Sequence, residues 1–294
     1  MTRGAFVGHC AVFAGLLEVS AEKPGNVTPT YDFPDTKFHH FLASSVALEP
    51  SMRRLSEKRN YRIGQGMLDA VKASHSVQSG GNAQLGIILL FGPLAKAAGM
   101  VKGKLTATTL RSSVAKVLKG TSTEDALNAF RAINFGHVGG LNKVKELDVR
   151  DKATLGRLKA KMTTLLEWMS VGKDINSICY EYFKDYEITF KLGLPTLLKA
   201  RPRGMQDAII HTYLTILSRR TDTHVNGKWG PAVAKKVSKM AKNVLEKGSV
   251  WTDSGSLSEK RFTNYLRKSR INPGATADLT ASTLFASLLT GLEH

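Results

Sequence analysis

The chain has 294 residues, of which 42% are hydrophobic and 22% charged, a balance that is ordinary for a folded globular protein. Its 42 Lys and Arg residues against 24 Asp and Glu residues give a formal net charge of +18, which attracts nucleic acid, anionic membranes or polyphosphorylated small molecules. Two cysteines, Cys10 and Cys179, are too few for a disulfide framework or a zinc site, so we expect buried thiols in a reducing cytoplasm. The longest apolar run, residues 85–98, is too short to span a bilayer, and no membrane partner is expected.

Helical spacing of apolar residues dominates the chain, whereas alternating patterns of period two are nearly absent. The spacing predicts helices at Gly4–Ala21, Lys37–Ala47, Tyr61–Ser74, Gly81–Ala98, Thr106–Lys119, Ser122–Ile133, Lys152–Ser170, Ser177–Leu192, Met205–Ser218, Gly230–Glu246, Ser258–Lys268 and Ala275–Leu289. We therefore predict an all-α fold, a compact single-domain bundle of roughly ten to twelve helices over residues 1–291. The final Leu-Glu-His, residues 292–294, is interpreted as a remnant of an expression tag.

Several nucleotide-binding and hydrolytic motifs are missing from the sequence. It contains no GxxxxGK[ST] phosphate loop, no GxGxxG, no HExxH, no CxxC and no GxSxG. These absences argue against a P-loop kinase, a Rossmann enzyme, a zinc hydrolase and an α/β-hydrolase. Any chemistry must then use carboxylates, amides and basic residues on a helical scaffold.

Two short phrases, one near each end of the chain, set a Pro-Gly turn beside an amide. The first contains Lys23, Gly25 and Asn26, and the second contains Asn272 and Gly274. Pro fixes φ and Gly permits positive φ, so the backbone can turn sharply and leave N–H groups pointing outward. Such groups at a helix start suit a phosphate, and we predict that these five residues bind substrate phosphate. Because both phrases are polar islands between apolar helices, we expect them to be adjacent in space.

Carboxylates cluster around the first of these turns. Glu18 lies late in an apolar helix, where a buried carboxylate needs a partner or a ligand, although a salt bridge to Lys23 or an exposed helix end would also explain it. Asp32 and Asp35 follow the turn and could hold Mg²⁺ through oxygen ligands. Capping of the next helix explains Asp35 almost as well.

Two further segments could contact a nucleotide. Asn82 follows two glycines at the start of an apolar helix, where ligand contact and a helix cap are equally good explanations. Arg219 and Arg220 precede Asp222 and Thr223, a combination that suits a polyphosphate or a metal–phosphate group. The alternative for the two arginines is that they lie at the negative end of a helix, where cations are favoured.

Taken together, these phrases resemble the triphosphoribosyl-dephospho-CoA synthases, in particular their archaeal-type branch. The likeness runs in order along most of the chain, through Glu18 and residues 23–44, 80–98, 185–197, 213–225 and 272–282. It implies an all-α transferase that moves the triphosphoribosyl group of ATP, with Mg²⁺, to the adenosine ribose 2′-hydroxyl of dephospho-CoA and releases adenine. Better-known bacterial members carry a DTN-type phrase where this chain has Asp222-Thr223-His224. The acceptor could therefore be a related precursor in another cofactor pathway, for example that of a one-carbon carrier.

Cleavage of the bond between adenine and ribose develops positive charge at C1′, which a carboxylate can stabilise, and it also needs an acid and a base. Glu18, Asp222 and Asp278 are the predicted catalytic residues, with their individual roles left open. A nonenzymatic, basic, helical nucleic-acid-binding protein is the alternative, motivated by the +18 charge and by the basic stretches 53–62 and 235–247. Carboxylates gathered around Pro-Gly turns favour the enzyme, so nucleic acid is not the expected partner.

Overall fold

A computed structural model describes residues 1–81, 84–136 and 146–291. Its helices are α1 (Arg3–Ser20), α2 (Phe38–Ala47), α3 (Glu49–Glu57), α4 (Ile63–Ser76), α5 (Leu85–Met100), α6 (Ala107–Lys119), α7 (Thr123–Phe135), α8 (Ala153–Ala160), α9 (Leu165–Val171), α10 (Ser177–Phe183), α11 (Leu194–Ala200), α12 (Met205–Arg219), α13 (Thr223–Trp229), α14 (Pro231–Glu246), α15 (Asp253–Lys268) and α16 (Gly274–Leu289). A π-helical turn at Ile188–Gly193 precedes α11. These ranges contain no β-strand, which confirms the predicted all-α class.

The predicted number of ten to twelve helices is wrong, because local signals divide some apolar stretches into more helices. The stretch predicted as Lys152–Ser170 is interrupted where Met162 has φ +52°. Thr164 then starts α9 by accepting a hydrogen bond from the Glu167 amide at 3.3 Å. A residue with left-handed φ ends one helix and an N-cap starts the next, and the spacing of apolar residues does not reveal either boundary.

The stretch predicted as Ser177–Leu192 is divided in the same way. Asp185 and Tyr186 both have positive φ, at +49° and +57°. The carboxylate of Glu181 accepts hydrogen bonds from the amides of Ile188 and Thr189 at 2.8 and 2.7 Å, so it caps the π-helical turn that follows.

Helix α16 lies at the centre of the fold and packs against α1, α5 and α12. Its hydroxyl side chains are buried, and several of them bond to carbonyls of the preceding turn, as Thr280 does to Thr276 at 2.8 Å. This internal pairing lets a helix of small residues pack closely on all sides. Phe285 on α16 meets Phe91 on α5 with ring centroids 4.4 Å apart. Helix α1 packs along α16, and the segment after α1 contacts the segment before α16 through Asn26 and Asn272.

The buried apolar residues form one cluster that runs from Val7 to Leu289. Assignment of residues 1–291 to one domain stays a prediction, and residues 292–294 lie outside the described ranges. Cys10 is buried and Cys179 is partly buried, and both thiols are free. Within the described ranges, no helix has the length and apolar character needed to cross a membrane.

Candidate functional site

The two Pro-Gly turns meet in space, as the sequence predicted. The Asn26 side-chain amide donates a hydrogen bond to Oδ1 of Asn272 at 2.7 Å. Gly25 has φ +79°, and a Cβ at this position would lie 2.7 Å from the carbonyl oxygen of Ile271. A glycine at position 25 therefore allows the two turns to approach each other closely.

A cavity of about 520 Å³ opens beside the joined turns. The predicted site residues that line it are Glu18, Asn26, Asp35, Thr223, Asn272, Gly274 and Asp278. The lining also contains apolar residues, including Leu85, Leu89, Ile133, Trp168, Met169 and Ile178. A cavity with both kinds of lining suits a ligand that has a highly polar part and an apolar part.

Glu18 and Lys23 form a buried ion pair, with 3.0 Å between Lys23 Nζ and a Glu18 carboxylate oxygen. The ammonium also donates to the backbone carbonyl of Ala21 at 3.2 Å, and Lys23 has no exposed surface. Burial raises the pKa of Glu18, and the charge of Lys23 opposes that rise. This is the salt bridge that the sequence left open. It places Lys23 behind Glu18, and Lys23 is not among the residues that line the cavity.

Asp278 faces the cavity from the first turns of α16. Among the described residues its carboxyl group has no hydrogen-bond or ion-pair partner. Burial raises the pKa of Asp278 well above its ordinary value, and the charges of Glu18 and Asp222 add to the effect. A Cβ on Gly86 would collide with this carboxyl, so a glycine allows α5 to approach it. The raised pKa favours the protonated form of Asp278, which can donate a proton.

Asp222 is buried and joins the starts of two helices. One carboxylate oxygen accepts from the Val225 amide at 2.9 Å, capping α13. The other accepts from the amide and hydroxyl of Thr276 on α16, at 2.7 and 2.8 Å. Burial raises the pKa of Asp222, while these hydrogen bonds lower it. Asp222 is absent from the cavity lining, so its visible role is to hold α13 against α16.

The neighbouring predicted residues divide between the cavity and the surface. Thr223 lines the cavity, and its hydroxyl accepts from the Ser177 amide at 3.3 Å. Arg219 is exposed, and the guanidinium of Arg220 lies 3.9 Å from the centre of the Tyr180 ring. Neither arginine lines the cavity.

The two predicted metal ligands have different surroundings. Asp32 accepts a hydrogen bond from the Phe38 amide at 2.7 Å and thereby caps α2, the role that the sequence suggested for Asp35. The side chain of Asp35 is exposed and lines the cavity. Asn82 lies outside the described residues.

Sequence reasoning missed several polar residues of the cavity, among them Gln84, His224 and Lys228. His224 follows the predicted Asp222-Thr223 pair, so its place in that phrase was the available signal. Burial lowers the pKa of His224, Asp222 raises it, and Lys228 lowers it further. Gln84 has no comparable local signal, because its side chain reaches Ser45 at 2.6 Å through tertiary contact.

Two buried amide oxygens beside the cavity, Oδ1 of Asn26 and Oε1 of Gln84, have no hydrogen-bond partner among the residues that the structure describes. Buried polar atoms are nearly always paired, so such atoms need an explanation. A ligand that donates hydrogen bonds here, such as the amino group of a nucleobase, would satisfy them.

No group of three or more His, Cys, Asp or Glu side chains in the described ranges is arranged to hold a metal ion. Mg²⁺ is commonly held by one or two carboxylates together with the phosphates of a substrate. The exposed carboxylate of Asp35 at the cavity fits that pattern, and a closed protein cage is not required.

Comparison with known proteins agrees with this architecture. A solved structure from Archaeoglobus fulgidus, provisionally named as a triphosphoribosyl-dephospho-CoA synthase, superposes with a TM-score of 0.71 at 28% identity, covering 87% of this chain and 100% of that one. Curated relatives named as probable 2-(5''-triphosphoribosyl)-3'-dephosphocoenzyme-A synthases come from Malonomonas rubra, 31% identical over 99 residues, and Stutzerimonas stutzeri strain A1501, 35% identical over 100 residues.

Those two alignments cover 33% of this chain, and 31% and 34% of the respective relatives, so the chain matches about a third of their length. The family model described as ATP:dephospho-CoA triphosphoribosyl transferase matches residues 5–294. With nearly the whole sequence matched and the helical architecture shared, this chain belongs to the ATP:dephospho-CoA triphosphoribosyl transferase family.

Proposed function

We propose that this protein transfers the triphosphoribosyl group of ATP to a ribose hydroxyl of dephospho-CoA and releases adenine. The observation that carries the proposal is a cavity whose lining includes two carboxyl groups in contrasting states. Glu18 is paired with a buried ammonium, whereas Asp278 has no partner among the described residues. Titratable groups with environments this different are typical of acid and anion roles in one active site.

Glu18 supplies the negative charge that stabilises the oxocarbenium-like ribose. Its ion pair with Lys23 keeps it ionised, because a buried ammonium requires an anionic partner. Asp278 acts as the general acid and gives its proton to the departing adenine, a role that its raised pKa permits at neutral pH. Asp222 holds α13 against α16, the helix that carries Asp278.

The triphosphate binds at the start of α16. Gly274 and Ala275 line the cavity there, and the helix N-terminus favours negative charge. Asn272 and Lys228 also line the cavity. Mg²⁺ would neutralise phosphate charge, held by Asp35 together with phosphate oxygens. Lys228, rather than Lys23 or the two arginines, is then the cation in contact with phosphate.

The apolar residues of the cavity lining suit the less polar part of the acceptor. Leu85, Ile133 and Trp168 offer aliphatic and aromatic surface next to the carboxyl groups. The pantetheine arm of dephospho-CoA matches that surface, because burial of apolar area stabilises binding at roughly 25 cal/mol per Å². A protein that uses ATP and a CoA precursor is expected in the cytoplasm.

Chromatography of reactions with ATP, Mg²⁺ and dephospho-CoA tests this function. Free adenine together with a heavier CoA-derived product supports it in full. Adenine released only with another alcohol acceptor keeps the chemistry and rejects dephospho-CoA. Binding of a DNA duplex, measured at increasing salt concentration, serves as the control for nonspecific polyanion binding. Absence of adenine with every acceptor tried would overturn the transferase assignment.

A further inference from the structure

We propose that His224 is the general base of the reaction and takes the proton from the attacking hydroxyl of the acceptor. This inference rests on the proposed function and assigns a role that Glu18, Asp222 and Asp278 leave vacant. His224 would contact the acceptor directly, and it lines the same cavity as Asp278.

The position of His224 is fixed from two sides. It is the second residue of α13, and the helix cap before it, Asp222, is bonded both to the Val225 amide and to Thr276 on α16. A Cβ on Gly274 would lie 4.0 Å from the imidazole Cδ2, so the ring lies beside the first residue of α16.

His224 and Asp278 therefore share one stretch of the cavity wall. Gly274 and Asp278 are four residues apart in α16, which places them on the same face, one turn apart. Both side chains line the cavity near the start of α16, where one ligand can contact the two of them.

The other carboxylates of the site are less suitable as the base. Both oxygens of Asp222 accept hydrogen bonds from the protein, and Asp222 does not line the cavity. Glu18 is engaged by Lys23. Among the remaining polar groups of the described cavity wall, His224 is the one that combines enclosure with an imidazole able to accept a proton near neutral pH.

The charges around His224 come from three helices. On α13, Asp222 raises its pKa and Lys228 lowers it, but burial is the largest influence and the net change is downward. From α16, the titratable residue is Asp278, which is uncharged when protonated. Helix α14 also packs on α13 and carries exposed lysines at Lys235, Lys236 and Lys239. Burial and Lys228 oppose protonation of the ring, so its pKa shift favours the neutral imidazole that can accept a proton.

The step balances as a simple displacement. The hydroxyl oxygen of the acceptor forms a bond to C1′ while its proton passes to an imidazole nitrogen of His224. The bond from C1′ to the adenine nitrogen breaks, its electron pair leaves with adenine, and Asp278 supplies the proton that adenine takes. Solvent then removes the proton from His224 and returns one to Asp278.

The test compares wild type, His224→Asn and His224→Ala in adenine release between pH 5 and pH 9, with dephospho-CoA and Mg-ATP. We expect the wild-type kcat/KM to fall about tenfold per pH unit below the pKa of the base. His224→Asn should lower kcat on the order of 10²-fold. In this variant kcat/KM should no longer fall at acidic pH, so the acidic limb of the pH profile should be absent. Added imidazole should restore part of the activity of His224→Ala.

His211→Asn is the matched control. His211 is a second partly buried histidine whose pKa is lowered by burial, but it bonds to Ser249 at 2.9 Å and does not line the cavity. That variant should retain the acidic limb. An NMR titration of wild type should place the pKa of His224 below its ordinary value of 6.5, independently of turnover or of how the variants fold.

An acidic limb that persists in His224→Asn, a lack of imidazole rescue, or a His224 pKa above 6.5 would each overturn the assignment of the base while leaving adenine release by wild type intact. Failure of wild type to release adenine with any acceptor would overturn the proposed function itself and this inference with it.

Discussion

Two carboxyl groups near α16, those of Glu181 and Asp278, are both enclosed by protein but have opposite surroundings. Glu181 accepts from the amides of Ile188 and Thr189 and from the Thr189 hydroxyl, which also contacts Ser282 on α16 at 2.9 Å. Asp278 faces the cavity and has no such partner among the described residues. Burial raises the pKa of both groups, to about 7 for Glu181 and well above the ordinary value for Asp278.

Burial and a raised pKa alone therefore do not identify a functional carboxyl group in this protein. The two groups differ in hydrogen bonding. The carboxylate of Glu181 accepts hydrogen bonds from backbone amides of the π-helical turn, whereas no group in the described residues bonds to the carboxyl of Asp278. A group left without partners at a cavity weakens the fold and is retained for a ligand or a reaction. This contrast predicts that substitution of Asp278 reduces activity and not stability, whereas substitution of Glu181 reduces stability and not activity.

The largest effect is expected for Asp278→Asn. This variant retains shape but removes the proton donor, so adenine release should fall on the order of 10²–10⁴-fold. The unfolding temperature should stay the same or rise, because no hydrogen bond within the described protein is lost. Adenine chromatography and thermal unfolding measure the two outcomes. Wild-type activity in this variant would remove Asp278 from the mechanism.

Lys23→Met should cost the most stability. Removal of the ammonium leaves Glu18 as a buried, unpaired charge, and breaking a buried pair costs about 3–5 kcal/mol. Urea unfolding measures the loss. The double variant Lys23→Met with Glu18→Gln should recover part of it, because the unpaired charge is then absent. A single variant as stable as wild type would show that the pair does not form.

Glu181→Gln should reduce stability by about 1–3 kcal/mol near pH 5 while adenine release per folded molecule is unchanged. Glu181 titrates at about 7 when folded, against an ordinary value of 4.5, so the folded state binds the proton more tightly. Its contribution to stability is full below pH 4.5 and is lost as the pH rises through 7. Gln does not titrate, so the deficit of the variant should narrow above pH 7. A stability deficit of Glu181→Gln that widens as the pH rises would show that the pKa of Glu181 is lowered in the folded state, not raised.

The smallest effects separate the cavity cation from the surface cation. Lys228→Ala should weaken ATP binding about tenfold through loss of one charge-assisted contact. Arg219→Ala, at an exposed position outside the cavity, should leave ATP affinity and stability unchanged, with ΔΔG within about 0.5 kcal/mol. Calorimetric titration of both variants with Mg-ATP measures the difference. Equal weakening would indicate long-range attraction by the net charge in place of a phosphate contact.

The sequence by itself determined the all-α class, the resemblance to the family, and the meeting of the two Pro-Gly turns. These rest on local information: apolar residues at helical spacing, and turn residues whose backbone preferences do not depend on distant contacts. Glu18 and Asp278, which the sequence singled out as catalytic candidates, both line the cavity, and their catalytic roles stay predictions.

Tertiary structure alone decided which polar residues face the cavity. Lys23 reads as a phosphate ligand in its turn, but the fold encloses it behind Glu18. Asp222 reads as catalytic, but its oxygens join α13 to α16, and that arrangement turns His224 toward the cavity instead. The physical reason is that a side chain's partner and exposure depend on helices far away in the sequence, which local propensity and motif spacing do not encode.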